Sequence, residues 1–241
     1  MRLIDEQYLQ TPFYGWPRMT AHLRRQGYWV NHKRVRRLMS KMGIQAIYAK
    51  KHMSQADIEH SIYPYLLRDL TIARPDQVWC ADMTYVPMAQ GFMYLVVIMD
   101  WFSRCVISWE ISKTPDSRFC VSCLDEALDS ARPEIMNTDR GATFTANRFI
   151  STLKNAGVRI SMDGRGRFLD NIFIERLWRT VKYENIYLNE YATGNELKYG
   201  LRKYFRFYNY ERPHQSLGYL TPVEFAAEAR SGLTLSGDSG A

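Results

Sequence analysis

The sequence predicts an α/β protein, a mixed sheet flanked by helices, preceded by a small helix-turn-helix module. Three observations predict it. Strand-like runs rich in Val, Ile, Tyr and Trp follow one another between Gln77 and Ile111. Helix-length and strand-length segments then alternate as far as Met162, and a meander followed by such alternation implies a mixed sheet with helices packed on it. The charge is also uneven: residues 1–53 carry a balance of +9 and the remainder −2, giving the net +7. A local basic excess of that size is the footprint of a nucleic-acid contact.

Pro17 to Gln26 carries Met19, His22 and Leu23 at helical spacing, with Pro17 suited to a first turn. Gly27 ends that helix, Asn31 can cap a second one, and Gly43 stops it after Met42. In the second helix Val35, Leu38, Met39 and Met42 form an inward stripe, while Lys33, Arg34, Arg36, Arg37 and Lys41 take the other faces. A short basic helix after a tight turn is how a recognition helix is built. This module spans 1–53, and a linker, 54–75, follows it. Gln77 to Met88, Phe92 to Met99 and Arg104 to Ile111 read as an antiparallel meander. Then come a helix (Asp116–Ser130), a strand (Glu134–Thr138), a helix (Ala146–Ala156) and a strand (Val158–Met162). A Gly/Arg-rich loop, Asp163 to Arg167, leads into a helix from about Asn171 to Glu184, completing a core over 76–190. A helical extension with a last short helix from Pro222 fills 191–230, and the Gly/Ser-rich end, 231–241, is expected to be disordered.

Composition removes several classes. With 46% hydrophobic and 24% charged residues the chain is an ordinary globular one. No stretch approaches the roughly 20 apolar residues that span a bilayer, and the N-terminal residues lack a signal-peptide layout, so a cytoplasmic location is expected. Four cysteines in a chain of this size suggest reduced thiols. Cys120 and Cys123 stand three apart on a helix without a second pair, which favours packing over a metal or redox role.

Three acids stand out by position. Asp82 sits mid-strand among Cys80, Ala81, Met83 and Tyr85, where a charge is costly without a partner or a metal. Asp139 ends a strand at the kind of sheet edge where ligands bind. Glu175 lies beside the apolar stripe Ile174, Leu177, Trp178 and Val181, and is expected to border the sheet instead of facing bulk water. Each also has an ordinary role open to it: a hydrogen-bonded buried acid, a turn starter, and a helical ion pair with Arg179. Taken together, three hard oxygen donors at one edge suit Mg²⁺ or Mn²⁺. Two such ions roughly 4 Å apart serve phosphodiester chemistry.

The spacing and surrounding words resemble the insertion-sequence transposases of the retroviral-integrase superfamily, especially products of the second of two overlapping reading frames. Asp139 and Glu175 are separated by 35 residues, that family's hallmark. Trp79 to Tyr85, Met99 to Arg104, Ser161 to Gly166, Asp170-Asn171 with Glu175-Arg176, Lys182 to Glu184, Phe207 to Asn209 and Arg212 to His214 match its motifs, over about residues 10–228. The resemblance implies an RNase H-like core, metal binding by Asp82, Asp139 and Glu175, and a DNA contact by Lys182 near the cut end. Asp100 matches the family as well, but its place at a turn suits a structural task. The resemblance also implies hydrolysis at an element end followed by attack of the freed 3′ hydroxyl on another phosphodiester. Its implied partners are double-stranded DNA, the upstream-frame protein or a fusion with it, and a second copy of the chain on DNA. Lys33, Arg34, Arg36 and Arg37 are the candidate DNA grip, with Arg165 and Arg167 near the metals. One departure is local: Arg140-Gly141-Ala142-Thr143 stands where the family usually has Gln-Gly-Ser-Gln. Two alternatives stay open: a metal-dependent nuclease of the same core that cuts but does not join, and a DNA-binding protein with an inert core.

Overall fold

The computed structural model describes residues 1–47, 63–163 and 172–232. Three helices open the chain: α1 (Arg2–Gln10), α2 (Trp16–Arg25) and α3 (His32–Lys41). The first of these was not expected; its single fully buried residue, Ile4, leaves little apolar pattern to read. Asn31 caps α3 by accepting from the Lys33 amide at 2.8 Å, and Gly27 takes φ 87° in the turn before it. The three helices share a cluster of their own, formed by Ile4, Phe13, Tyr14, Met19, Leu23, Val35 and Met39, with Phe207 packed against it from a distant helix.

The sheet has the order β3-β2-β1-β4-β5. β1 (Val78–Pro87), β2 (Phe92–Asp100) and β3 (Val106–Ser112) form the antiparallel meander, while β4 (Ile135–Thr138) and β5 (Arg159–Met162) add in parallel. The two parallel additions follow α4 (Ser117–Ser130) and α5 (Asn147–Asn155), each supplying a crossover. Both helices cover one face of the sheet, where Trp79, Ala81, Val96, Ile98 and Met136 meet Leu124, Phe149 and Leu153. Cys120 and Cys123 are buried in that layer, and Cys123 donates to Ser108 Oγ at 3.4 Å.

The other face is covered by α6 (Ile172–Val181) and α8 (Gly194–Tyr210). Here Val78, Cys80, Leu95, Val97 and Ile135 meet Ile174, Leu177, Val181, Leu197 and Leu201. The helix expected to run to Glu184 instead ends at Val181. It continues as a π-helical turn, Lys182–Ile186, and the short α7 (Tyr187–Asn189). α9 (Pro222–Arg230) closes the described chain with a capping box between Thr221 and Glu224. Among the described residues no helix is long and apolar enough to cross a membrane. Much of the expected linker, 54–75, most of the expected tail, 231–241, and the loop carrying Arg165 and Arg167 lie outside the described residues.

Candidate active site

The β1–β4 pairing brings two of the three acids together. Ala81 and Thr138 are register partners in parallel strands, and each is followed directly by an acid, Asp82 and Asp139. The preceding partners Val78 and Ile135 both join the core beneath α6 and α8. By the two-residue period of strands, Asp82 and Asp139 rise from that same face. Asp82 is half-buried, and its two oxygens accept from the Met83 amide at 2.7 Å and from Trp178 Nε1 at 2.7 Å. Asp139, beyond the end of β4, accepts from the Gly141 amide at 2.9 Å. A Cβ on Gly141 would stand 2.9 Å from Asp139 Oδ1, so this glycine is what lets the carboxylate fold back over the turn.

Trp178 was legible in sequence only as part of an apolar stripe. Its ring does pack in the core, but its N–H is the tether that ties α6 to β1 at Asp82. Glu175 lies three residues earlier on α6, nearly one turn away, and its position differs from the expectation. It is exposed to solvent instead of bordering the sheet. Among the described residues no three of His, Cys, Asp and Glu stand close enough to hold a metal ion. Glu175 is nonetheless near enough for its charge to act on Asp82.

Burial is the main influence on Asp82, pushing its pKa up to about 7. The Trp178 hydrogen bond opposes this, and the charges of Asp139 and Glu175 reinforce it. Burial also raises Asp139, against the Gly141 hydrogen bond. Lys182 is partly buried at the start of the π turn. Burial lowers its pKa while the Asp82 charge raises it, so its ammonium lies on the carboxylate flank of the helix. A buried carboxylate raised further by two neighbouring acids, in a site of hard oxygen donors, fits a divalent cation.

The other expected residues divide clearly. Lys33, Arg34, Arg36 and Arg37 are all exposed on α3 and make no ion pair among the described residues, leaving a free cationic face. Asp100 is buried and accepts from the amides of Asp76 and Ser103 and from Ser103 Oγ, which fixes the β2–β3 turn. Arg140 donates to the Asp163 carbonyl at 2.7 Å and so links the ends of β4 and β5 beside Asp139.

Sequence reasoning missed the charge cluster behind the site. Glu184, in the π turn, accepts two bonds from Arg212, at 2.6 and 2.7 Å, one from Arg18 of α2 at 2.7 Å, and one from Tyr204 of α8 at 3.0 Å. The motif Phe207-Tyr208-Asn209 has a similar structural task. The Asn209 amide donates to the Val106 carbonyl at 2.8 Å and accepts from the Val106 amide at 2.9 Å, imitating a neighbouring strand.

This fold, a five-stranded mixed sheet with two acids just beyond the last β1–β4 register pair, is that of an integrase catalytic core. A family model described as "Integrase core domain" matches residues 72–167, and a second with the same description matches 156–222. An "HTH-like domain" model matches residues 1–52. The catalytic core domain of BIV integrase aligns with a TM-score of 0.53 and 18% identity, covering 66% of this chain and 98% of that one. The HTLV-2 integrase catalytic core domain in complex with magnesium aligns with a TM-score of 0.52 and 21% identity, covering 64% and 97%.

Full-length relatives are closer in sequence. The transposase for insertion sequence element IS904 of Lactococcus lactis subsp. lactis is 34% identical over 220 residues, spanning 88% of this chain and 87% of that protein. Transposase InsF for insertion sequence IS3A of Escherichia coli (strain K12) is 30% identical over 219 residues, spanning 88% and 76%. The chain belongs to the insertion-sequence transposase family.

Proposed function

We propose that this transposase is a DDE-type polynucleotidyl transferase in which Asp82, Asp139 and Glu175 hold two Mg²⁺ or Mn²⁺ ions and direct phosphodiester hydrolysis and strand transfer. The observation that carries the reading is the Trp178–Asp82 hydrogen bond, which fastens the helix of Glu175 to the strand of Asp82, one residue beyond the register partner of Thr138. The ions, when bound, supply charge stabilisation to the attacking and leaving oxygens of an in-line displacement.

The chain's own groups do the positioning. Trp178 and the Met83 amide aim the two oxygens of Asp82, and the Gly141 amide holds Asp139 folded over the turn. Glu175, exposed on α6, would complete the ligand set with its carboxylate. Lys182 offers an ammonium to a DNA phosphate beside the carboxylates, and Arg165 and Arg167 are assigned the same task. A water and later a 3′ hydroxyl are the nucleophiles, so no covalent link to the protein forms.

The domain division belongs to this reading: 1–53 binds DNA through Lys33, Arg34, Arg36 and Arg37, 76–190 is catalytic, and 191–230 braces the core. Joining two element ends requires two copies of the site, and an upstream-frame partner or fusion contributes to end recognition. The test is cleavage and strand joining of a labelled element end with Mg²⁺ or Mn²⁺. Glu175→Gln is expected to bind DNA as wild type does and to give no product. Unchanged product from that variant overturns the assignment.

A further inference from the structure

A second feature lies on the opposite flank of α6. On a helix of about 3.6 residues per turn, Ile174, Leu177, Trp178 and Val181 face the core, and Glu175 and Lys182 fall together on one side of that stripe. Phe173, Arg176 and Thr180 fall on the other. There they line a cavity of about 480 Å³ whose walls also include Arg18, Arg104 and Arg212. Four arginines therefore line one space. Glu184 is the carboxylate that answers two of them, Arg18 and Arg212. Arg104 and Arg176 have no ion-pair partner among the described residues.

Arg104 is held there at some cost. Its backbone takes φ 66° at the β2–β3 turn, a left-handed conformation that a non-glycine residue seldom adopts. Its guanidinium stacks over the Phe173 ring at 3.2 Å from the centroid, and its buried Nε lacks a hydrogen-bond acceptor. Burial draws its pKa down to about 10; Asp100 works to raise it, while the Arg176 charge adds to the lowering. The Asp100 oxygens are already committed to Ser103 and the Asp76 amide. The cavity is thus short of negative charge, and Thr180, Gln215 and Ser216 add hydroxyl and amide donors to its rim.

We infer that this cavity is a phosphate-binding subsite, separate from the three carboxylates, that receives a backbone phosphodiester of the DNA strand crossing α6. Planar guanidinium forks match phosphate oxygens, and the surplus positive charge suits a monoanion per linkage. The two flanks of a helix are about 10 Å apart with side chains, the span of about three nucleotides at 3.4 Å of rise each. A strand with one phosphate at the carboxylates would place another in the arginine cavity two to four linkages away. The inference rests on the proposed DNA-cutting function for its ligand, and its test does not depend on catalysis.

The test uses the full chain without divalent metal and a DNA duplex carrying an element end. Arg176 is exposed and unpaired, so Arg176→Ala is expected to fold with unchanged thermal stability. Its binding should lose about 0.9 from the slope of log K against log[salt], the value for one phosphate contact. Neutral methylphosphonate linkages are then introduced one at a time. One linkage, two to four nucleotides from the cut, should weaken wild-type binding several-fold and leave Arg176→Ala unaffected. Equal slopes for the two proteins, or the same methylphosphonate profile in both, would overturn the subsite. A reduced slope in a protein that never cuts DNA would keep the subsite and remove the catalytic reading. Cutting by a protein whose slope is insensitive to Arg176 would do the reverse.

Discussion

Replacing Glu184 by glutamine keeps the shape of the side chain and removes the one negative charge shared by Arg212, Arg18 and Tyr204. The Arg212 and Glu184 side chains are 2% and 6% exposed, so water cannot compensate. Removing one partner of a buried pair typically costs about 3–5 kcal/mol. The remaining amide oxygen still accepts a bond, which argues for the lower end, about 3 kcal/mol. For a chain of this size that is a fall in melting temperature of roughly 6–12 °C. Arg18→Ala is the control: its side chain is 27% exposed, and about 1 kcal/mol is expected. The pH dependence carries its own sign. Burial tends to raise the Glu184 pKa, but Arg212 and Arg18 outweigh it and hold the group below its usual 4.5. Its stabilising contribution is therefore complete above pH 4.5 and is lost as pH falls through the lower folded value. Urea unfolding of both proteins between pH 3 and 8 checks this. The gap should be constant from pH 6 to 8 and narrow in acid. A gap below 1 kcal/mol at neutral pH, or one that persists unchanged in acid, refutes the reasoning.

Three further outcomes are expected. Trp178→Phe keeps the ring in the core and deletes the donor to Asp82; loss of such a supporting bond should weaken Mn²⁺ affinity by about 10-fold to 100-fold, measured by calorimetry, with the fold intact by circular dichroism. Gly141→Ala introduces a methyl 2.9 Å from Asp139 Oδ1, so the carboxylate must rotate away, and cleavage should fall far more than thermal stability does. Arg34→Ala combined with Arg37→Ala should lower the salt slope of DNA binding by about 1.8, two phosphate contacts' worth; an unchanged slope would remove α3 as the grip.

The sheet was legible because each strand announces itself locally. Phe92–Asp100 is buried along nearly its whole length and reads as a continuous apolar run, and the α4 and α5 crossovers repeat at helical spacing. Asp82 was legible because a lone acid in such a run is costly. Glu175 was placed on the correct helix but given the wrong exposure, since a position one step from an apolar stripe can turn either inward or outward. The Glu184 cluster was not legible. Arg18 and Glu184 are 166 positions apart, and a polar contact over that distance leaves no periodic trace. The π turn was equally hidden, because Lys182-Tyr183-Glu184 continues an acceptable α-helical pattern. Trp178 was half legible: its hydrophobic body gave the stripe, while its N–H gave no signal in sequence.

The meeting of Arg18, Glu184 and Arg212 has a bearing on where DNA would be cut. It clamps α2, and through the shared N-terminal cluster α3, to the turn that directly continues the helix of Glu175. With α3 as the proposed grip, the interval between it and the carboxylates would be set by this contact, as by a carpenter's gauge. A duplex gripped at α3 would present the same phosphodiester to the metals each time. Loosening the clamp would leave the chemistry intact and blur the position of the break, so that the ends of the element lose their single-nucleotide definition.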